Sequence, residues 1–172
     1  MTRSSNWRIA RMALGVVLID QLTKLLVLRY LGFADERVVI EGFFKFVHWG
    51  NTGAAWSLFT GNNDALALVA IVALFVLFFT RHHFDAHTLG GQAALGLIFG
   101  GIIGNLIDRL LPSRQHVIDF LYFYVVRRDG VEAGFPAFNI ADSAICTGVG
   151  LLFFLSLRQD RTERQVGEPP TP

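Results

Sequence analysis

The chain has 172 residues, 52% of them apolar and only 17% charged, where an ordinary soluble domain carries about 25% charged residues. Sixteen phenylalanines and a mean hydropathy of +0.45 argue against a conventional water-soluble domain and point to a bilayer. The net charge of +1 gives no electrostatic basis for a nucleic-acid partner, and a single cysteine excludes an intrachain disulfide.

Four segments approach the ~20 residues needed to cross a hydrocarbon core of ~30 Å. The first, Ile9 to Tyr30, is broken by Asp20 and Lys24 and is followed by no small-x-small cleavage site, so it is predicted to stay as an anchor. The loop 31–64 then alternates in Arg37-Val-Val-Ile-Glu41 and Phe43-Phe-Lys-Phe-Val47, which predicts short strands and a small sheet on the membrane surface. Its aromatics, Phe43, Phe44, Phe46, Trp49, Trp56 and Phe59, suit an interfacial belt. The second segment, 65–80, is the shortest, but Ala65 to Phe79 contains no polar group, which dictates a lipid-facing helix. In the turn after it, His83 and His87 stand at i,i+4. Without further ligands near by, a solvated turn is the better reading, and neither a metal nor another cofactor is assigned.

The third segment, 89–111, carries Gly96, Gly100 and Gly104 on one helical face, where a neighbouring backbone can approach closely. Asn105 and Arg109 lie beside that face. Asp108 and Arg109 read either as groups that serve a site or as a structural ion pair. The loop 112–139 contains a second strand-like run, Leu121 to Val126, and the fourth segment spans 140–157. Cys146 falls inside it and is expected to pack as a small hydrophobe. Residues 161–172, polar and proline-rich, are expected to form a disordered cytoplasmic tail. The expected fold is therefore an all-α membrane protein. One four-helix domain covers residues 1–160, with a small extracytoplasmic β-like sheet and loop on the outer face.

An even number of spans puts both termini on one side. Arg3, Arg8 and Arg11 at one end and Arg158, Arg161 and Arg164 at the other put that side in the cytoplasm, although Arg37, Lys45, Arg114, Arg127 and Arg128 in the outer loops weaken the bias. On this topology the polar residues collect near the outer face. Two of them stand out, Asp119 in Val117-Ile-Asp-Phe120 and Asp142 in Phe138-Asn-Ile-Ala-Asp142, because a carboxylate at the edge of hydrocarbon normally serves a function. Two at one level suggest a dyad that shares a proton, one group activating water and the other polarising a carbonyl. No serine–histidine or thiol arrangement competes at that depth. A proton-relay path would spread polar groups through the membrane, and a purely structural role gives no reason for two aspartates at one level.

Five strings in order complete the picture: Asp20-x-x-Thr23-Lys24, Asn51-Thr-Gly53-Ala-Ala-Trp-Ser57, Gly100-Gly-x-x-Gly104-Asn105-x-x-Asp108-Arg109, Val117-Ile-Asp119-Phe120 and Phe138-Asn139-x-Ala141-Asp142. Together they resemble the lipoprotein signal peptidases, the signal peptidase II family, from the first segment through the fourth. One departure is Trp56, where that family more often has phenylalanine. The resemblance implies an aspartyl endopeptidase of the bacterial inner membrane, multi-pass and monomeric, with its active site toward the outer face. Its substrates would be prolipoproteins with a diacylglyceryl-modified cysteine, cut immediately before that cysteine, and membrane lipid would be its other partner. It implies Asp119 and Asp142 as the catalytic pair, and Asp20, Lys24, Asn51, Gly53, Asn105, Asp108, Arg109 and Asn139 as residues that support the pair or hold substrate.

Overall fold

The computed structural model describes residues 3–53 and 61–167. Trp56, Ser57 and Phe59 lie outside the described residues. Four helices, α1 (Arg3–Tyr30), α2 (Asn63–Thr80), α3 (Leu89–Leu110) and α4 (Ile140–Gly167), combine with a four-stranded antiparallel sheet. The strands are β1 (Glu36–Ile40), β2 (Phe44–Asn51), β3 (Val117–Val126) and β4 (Glu132–Gly134), in spatial order β1-β2-β3-β4.

Among the described residues, three stretches are long and apolar enough to cross a membrane: Asn63–His83, Leu89–Leu110 and Ile140–Arg158. The expected fourth, α1, is not among them, because Arg11, Asp20 and Lys24 all fall within its apolar part. A second difference is at the far end. Helix α4 continues to Gly167, so 161–167 is helical where composition predicted disorder; Arg161, Glu163, Arg164 and Gln165 are good helix formers, and propagating a helix is far easier than starting one.

Helix α3 is the central element, packed between α1 and α4. Thr88 caps its start, accepting a hydrogen bond of 3.0 Å from Gly91 N. Its glycine ridge explains the packing against α1: a Cβ at Gly100 would lie 2.6 Å from Val16 Cβ and 2.7 Å from Ala13 O, and one at Gly96 would lie 2.5 Å from Met12 Cβ. The sequence suggested one such face, but there are two. Gly101 abuts the Ala141 carbonyl of α4, and a Cβ at Gly148 of α4 would meet Ala94 O of α3 at 2.8 Å.

Strand β3 starts at Val117, so Asp119 lies within a strand and not in a flexible loop. Antiparallel pairing sets Trp49 opposite Asp119 and Asn51 opposite Val117. Past the sheet the chain returns to β3: Phe138 O accepts from Phe120 N and Leu121 N at 3.1 and 2.9 Å, which lays the residue before Asn139 along the strand as α4 begins. Cys146 is exposed on α4, one turn beyond the site, and does not pack into the interior as expected. Residue 146 lies on the outer surface of the bundle, whereas Ala141, Ala144 and Gly148 form the face turned to α3.

Candidate active site

Asp119 is contributed by β3 and Asp142 by the first turn of α4, and Asn139 joins them. Its Nδ2 donates to Asp119 Oδ1 at 2.8 Å, its backbone N donates to Asp142 Oδ2 at 3.2 Å, and its Oδ1 accepts from Asp142 N at 2.9 Å. One completely buried amide thus fixes both carboxyl groups and caps the helix that carries the second. Each aspartate also receives an amide of its own. Asn51 Nδ2 donates to Asp119 Oδ2 at 2.9 Å, and Asn105 Nδ2 donates to Asp142 Oδ1 at 2.7 Å.

The Asp119 carboxyl is nearly buried. Burial first, and then the negative charge of Asp142, push it up to about 7, against the opposing pull of the Asn51 and Asn139 amides. A group at that value exchanges a proton near neutrality, and a carboxyl that does so beside a second carboxyl can act as acid or base there.

Beneath this pair lies a buried ionic cluster. Lys24 Nζ, with no exposure to solvent, meets Asp20 Oδ2 at 2.9 Å, Asp108 Oδ2 at 2.7 Å and Asn105 Oδ1 at 3.0 Å. Asp20 uses its other oxygen to accept from Ala141 N at 3.0 Å, in the first turn of α4. Among the described residues no buried side-chain nitrogen or oxygen lacks a partner. Asp108 and Arg109 do not pair with one another. Consecutive helical residues point about 100° apart, so Asp108 turns inward to Lys24 while Arg109 turns toward the loop, where it holds Gly53 O and Asn63 Oδ1, each at 3.1 Å. Gly53 N in turn donates to Asn51 Oδ1 at 2.9 Å, so Arg109 and Gly53 orient the amide that reaches Asp119.

All ten residues singled out in the sequence therefore meet at one end of the bundle. The description "Signal peptidase (SPase) II" fits a family model that matches residues 12–158. The chain belongs to the signal peptidase II family. It is 40% identical over 143 residues to the lipoprotein signal peptidase of Symbiobacterium thermophilum, covering 83% of this chain and 89% of that one. It is 38% identical over 147 residues to that of Bacillus subtilis strain 168, covering 84% and 90%. Among solved structures, a bacterial membrane enzyme determined by the in meso method at 2.3 Å resolution superposes with a TM-score of 0.75 at 32% identity, covering 94% of this chain and 93% of that one. Family membership places this signal peptidase II chain among the membrane peptidases of lipoprotein processing.

Two participants escaped the sequence reading. Gln21 Nε2 donates to Asp20 Oδ2 and Gly104 O at 3.1 Å each and to Asp108 Oδ1 at 3.2 Å. Arg114 donates to Asp108 Oδ1 and, at 3.0 Å, to Gln21 Oε1. Gln21 could have been found as the uncharged neighbour of Asp20 on a helix with an inward polar stripe. Arg114 carries no signal in the sequence beyond its charge, that of one outer-loop cation among several.

Proposed function

We propose that the chain is an aspartyl endopeptidase of the bacterial inner membrane that cleaves the signal peptide from diacylglyceryl-modified prolipoproteins, immediately before the lipidated cysteine, with Asp119 and Asp142 as its catalytic dyad. The observation that carries this reading is the Asn139 bridge between two carboxyls, one of which is raised to about 7. At neutral pH the pair holds one proton. The ionised carboxylate takes a proton from water as that water attacks the scissile carbonyl, and the protonated one donates to the carbonyl oxygen. Collapse of the tetrahedral intermediate returns a proton to the leaving nitrogen, and the two groups exchange roles. Asn51, Asn105 and Asn139 hold the oxygens in place throughout, and Arg109 holds the loop that presents Asn51.

Four spans, with both termini in the cytoplasm and the dyad toward the outer face, fit this reading. Leu14, Leu18, Ile19, Leu22, Leu25 and Leu26 of α1 are about half exposed, a face for lipid, while Asp20 and Lys24 point into the bundle. Two cations that counted against the orientation are neutralised internally. Lys45 is paired with Glu36 at 2.5 Å and Glu132 at 2.7 Å, and Arg114 is paired with Asp108. A site at the outer boundary admits a lipidated peptide sideways, its acyl chains still in the bilayer. The test is cleavage of a lipidated precursor by purified Asp119→Asn, Asp142→Asn and Asp119→Glu variants that insert and fold. All three are expected to be inactive, the last because an added methylene displaces the carboxyl group from a positioned water. Wild-type turnover by either Asn variant sinks the proposal.

A further inference from the structure

Asp20 and Asp108 are both fully buried, and Lys24 supplies one positive charge for the two. The second positive charge comes from the short segment between α3 and β3. There Arg114 N and Gln115 N donate to Leu111 O at 2.9 and 3.1 Å, and Gln115 takes a left-handed conformation with φ 56°, unfavourable for a residue with a Cβ. This tight turn folds Arg114 back over the end of α3, where its nearly buried guanidinium reaches Asp108 and Gln21. From that point two hydrogen-bonded routes lead toward the dyad. One runs from Asp108 through Lys24 and Asn105 to Asp142; the other runs through Gln21 and Asp20 to the Ala141 amide. Asp108 Oδ2 also lies 3.5 Å from Ile118 N, the residue before Asp119.

We infer that Arg114 is a positioning residue for the reaction: it completes the charge balance of the Asp20/Lys24/Asp108 cluster, so that Lys24 stays directed at Asn105 and no unbalanced carboxylate faces the dyad. The inference rests on the Asp119/Asp142 reading. The charged groups placed around the dyad are Asp20 and Lys24 from α1 and Asp108 and Arg109 from α3, with Arg114 of the α3–β3 segment one residue further out on Asp108, whereas His116 of that segment lies against Gly50 and Phe33. Loss of the Arg114 charge leaves this set more negative by one charge, which favours protonated carboxyls.

The experiment is the pH dependence of kcat and KM for cleavage of a lipidated precursor by wild type, Arg114→Gln, Arg114→Lys and Asp119→Asn, with thermal unfolding of each. Arg114→Gln is expected to lower kcat at its optimum by about tenfold, to leave KM within about threefold, and to move the alkaline limb that Asp119 sets to higher pH, by about 0.5 or more. Arg114→Lys, which keeps the charge, is expected to restore the limb and most of kcat. The inference is overturned if Arg114→Gln keeps the wild-type rate and limb. It is also overturned if rate and melting temperature fall together with the limb unmoved, or if Lys does no better than Gln. Should the Gln variant fail to fold, Arg114→Lys decides: a wild-type limb upholds the inference and a displaced one overturns it. An active Asp119→Asn brings down the dyad and this inference with it, whereas an inactive Asp119→Asn beside an unmoved Arg114→Gln limb removes the inference alone.

Discussion

Replacing Asp119 by Asn should make the protein's stability less sensitive to pH, in a direction that follows from burial. The carboxyl ionises at 3.8 in an ordinary setting and at about 7 in the folded protein, so between those values the folded state binds a proton that the unfolded state has lost. A raised carboxyl contributes stability that is fully present below the unfolded value and is lost as pH rises through the folded one. At about 1.4 kcal/mol for each tenfold change in the ionisation constant, the full penalty above pH 7 is roughly 4 kcal/mol, of which roughly 3 develops between about pH 5 and 8. Asn carries no such penalty at either pH, but it lacks one acceptor. Both Asp119 oxygens receive amide N–H groups, from Asn51 and Asn139, and an Asn side chain can accept only one of them, at a loss of about 1–3 kcal/mol that does not depend on pH. Unfolding free energies of wild type and Asp119→Asn in mixed micelles at pH 5 and 8 separate these two effects. The expected result is a wild-type loss of roughly 3 kcal/mol that the variant does not share. Equal pH dependence in the two proteins refutes the argument that burial holds Asp119 near neutrality.

Gly100→Leu should separate α1 from α3, because even a Cβ there would lie 2.6 Å from Val16 Cβ, so melting temperature and cleavage should fall together; a variant that melts like wild type but is inactive would reassign the glycine to substrate contact. Lys24→Met should destabilise by about 3–5 kcal/mol, since it strands Asp20 and Asp108 as buried carboxylates with Arg114 alone to balance them, and a wild-type melting curve would contradict this. Cys146 is exposed on the outer surface of α4, one turn beyond Asp142, and takes no part in the chemistry proposed, so membrane-permeant alkylating reagents should label it without inactivating the enzyme, and Cys146→Ala should keep its rate within severalfold. A deficit of more than about a hundredfold, roughly 2.7 kcal/mol in barrier height, with folding intact would overturn the aspartyl assignment.

What the sequence makes legible is whatever one element carries alone. Apolar runs gave α2, α3 and α4 to within a few residues, except at the far end of α4, and the four-residue glycine spacing gave a close-packing face on α3 without naming α1 as the helix that meets it. Motif order gave the residues that gather around Asp119 and Asp142. Contacts made by pairing and by reach were not legible. That Asn51 meets Asp119 depends on strand register between β2 and β3, and the inward Asp108 and outward Arg109 depend on how α3 is rotated against its neighbours. Arg114 depends on a left-handed residue, Gln115, that no turn signal announced, since neither Gly nor Asn occupies the position.

On the proposed mechanism the cluster also explains why, among the described residues, amides and not cations hydrogen-bond to Asp119 and Asp142. A lysine or arginine in direct contact with Asp119 or Asp142 would favour the ionised form of each and drive off the proton the pair must share. Asparagine amides donate hydrogen bonds that fix the oxygens without adding a full charge, and among the described residues three of them, Asn51, Asn105 and Asn139, supply the side-chain hydrogen bonds the two aspartates receive. The cations stand one bond further out. Lys24 acts on Asp142 through Asn105, whose Oδ1 it engages while the same amide's Nδ2 donates to the carboxylate, and Arg109 acts on Asp119 through Gly53 and Asn51. Positive charge is thereby near enough to tolerate one ionised carboxylate in a buried site, yet far enough to leave the second protonated, and on the proposed mechanism that intermediate strength is the condition for a dyad to work at neutral pH.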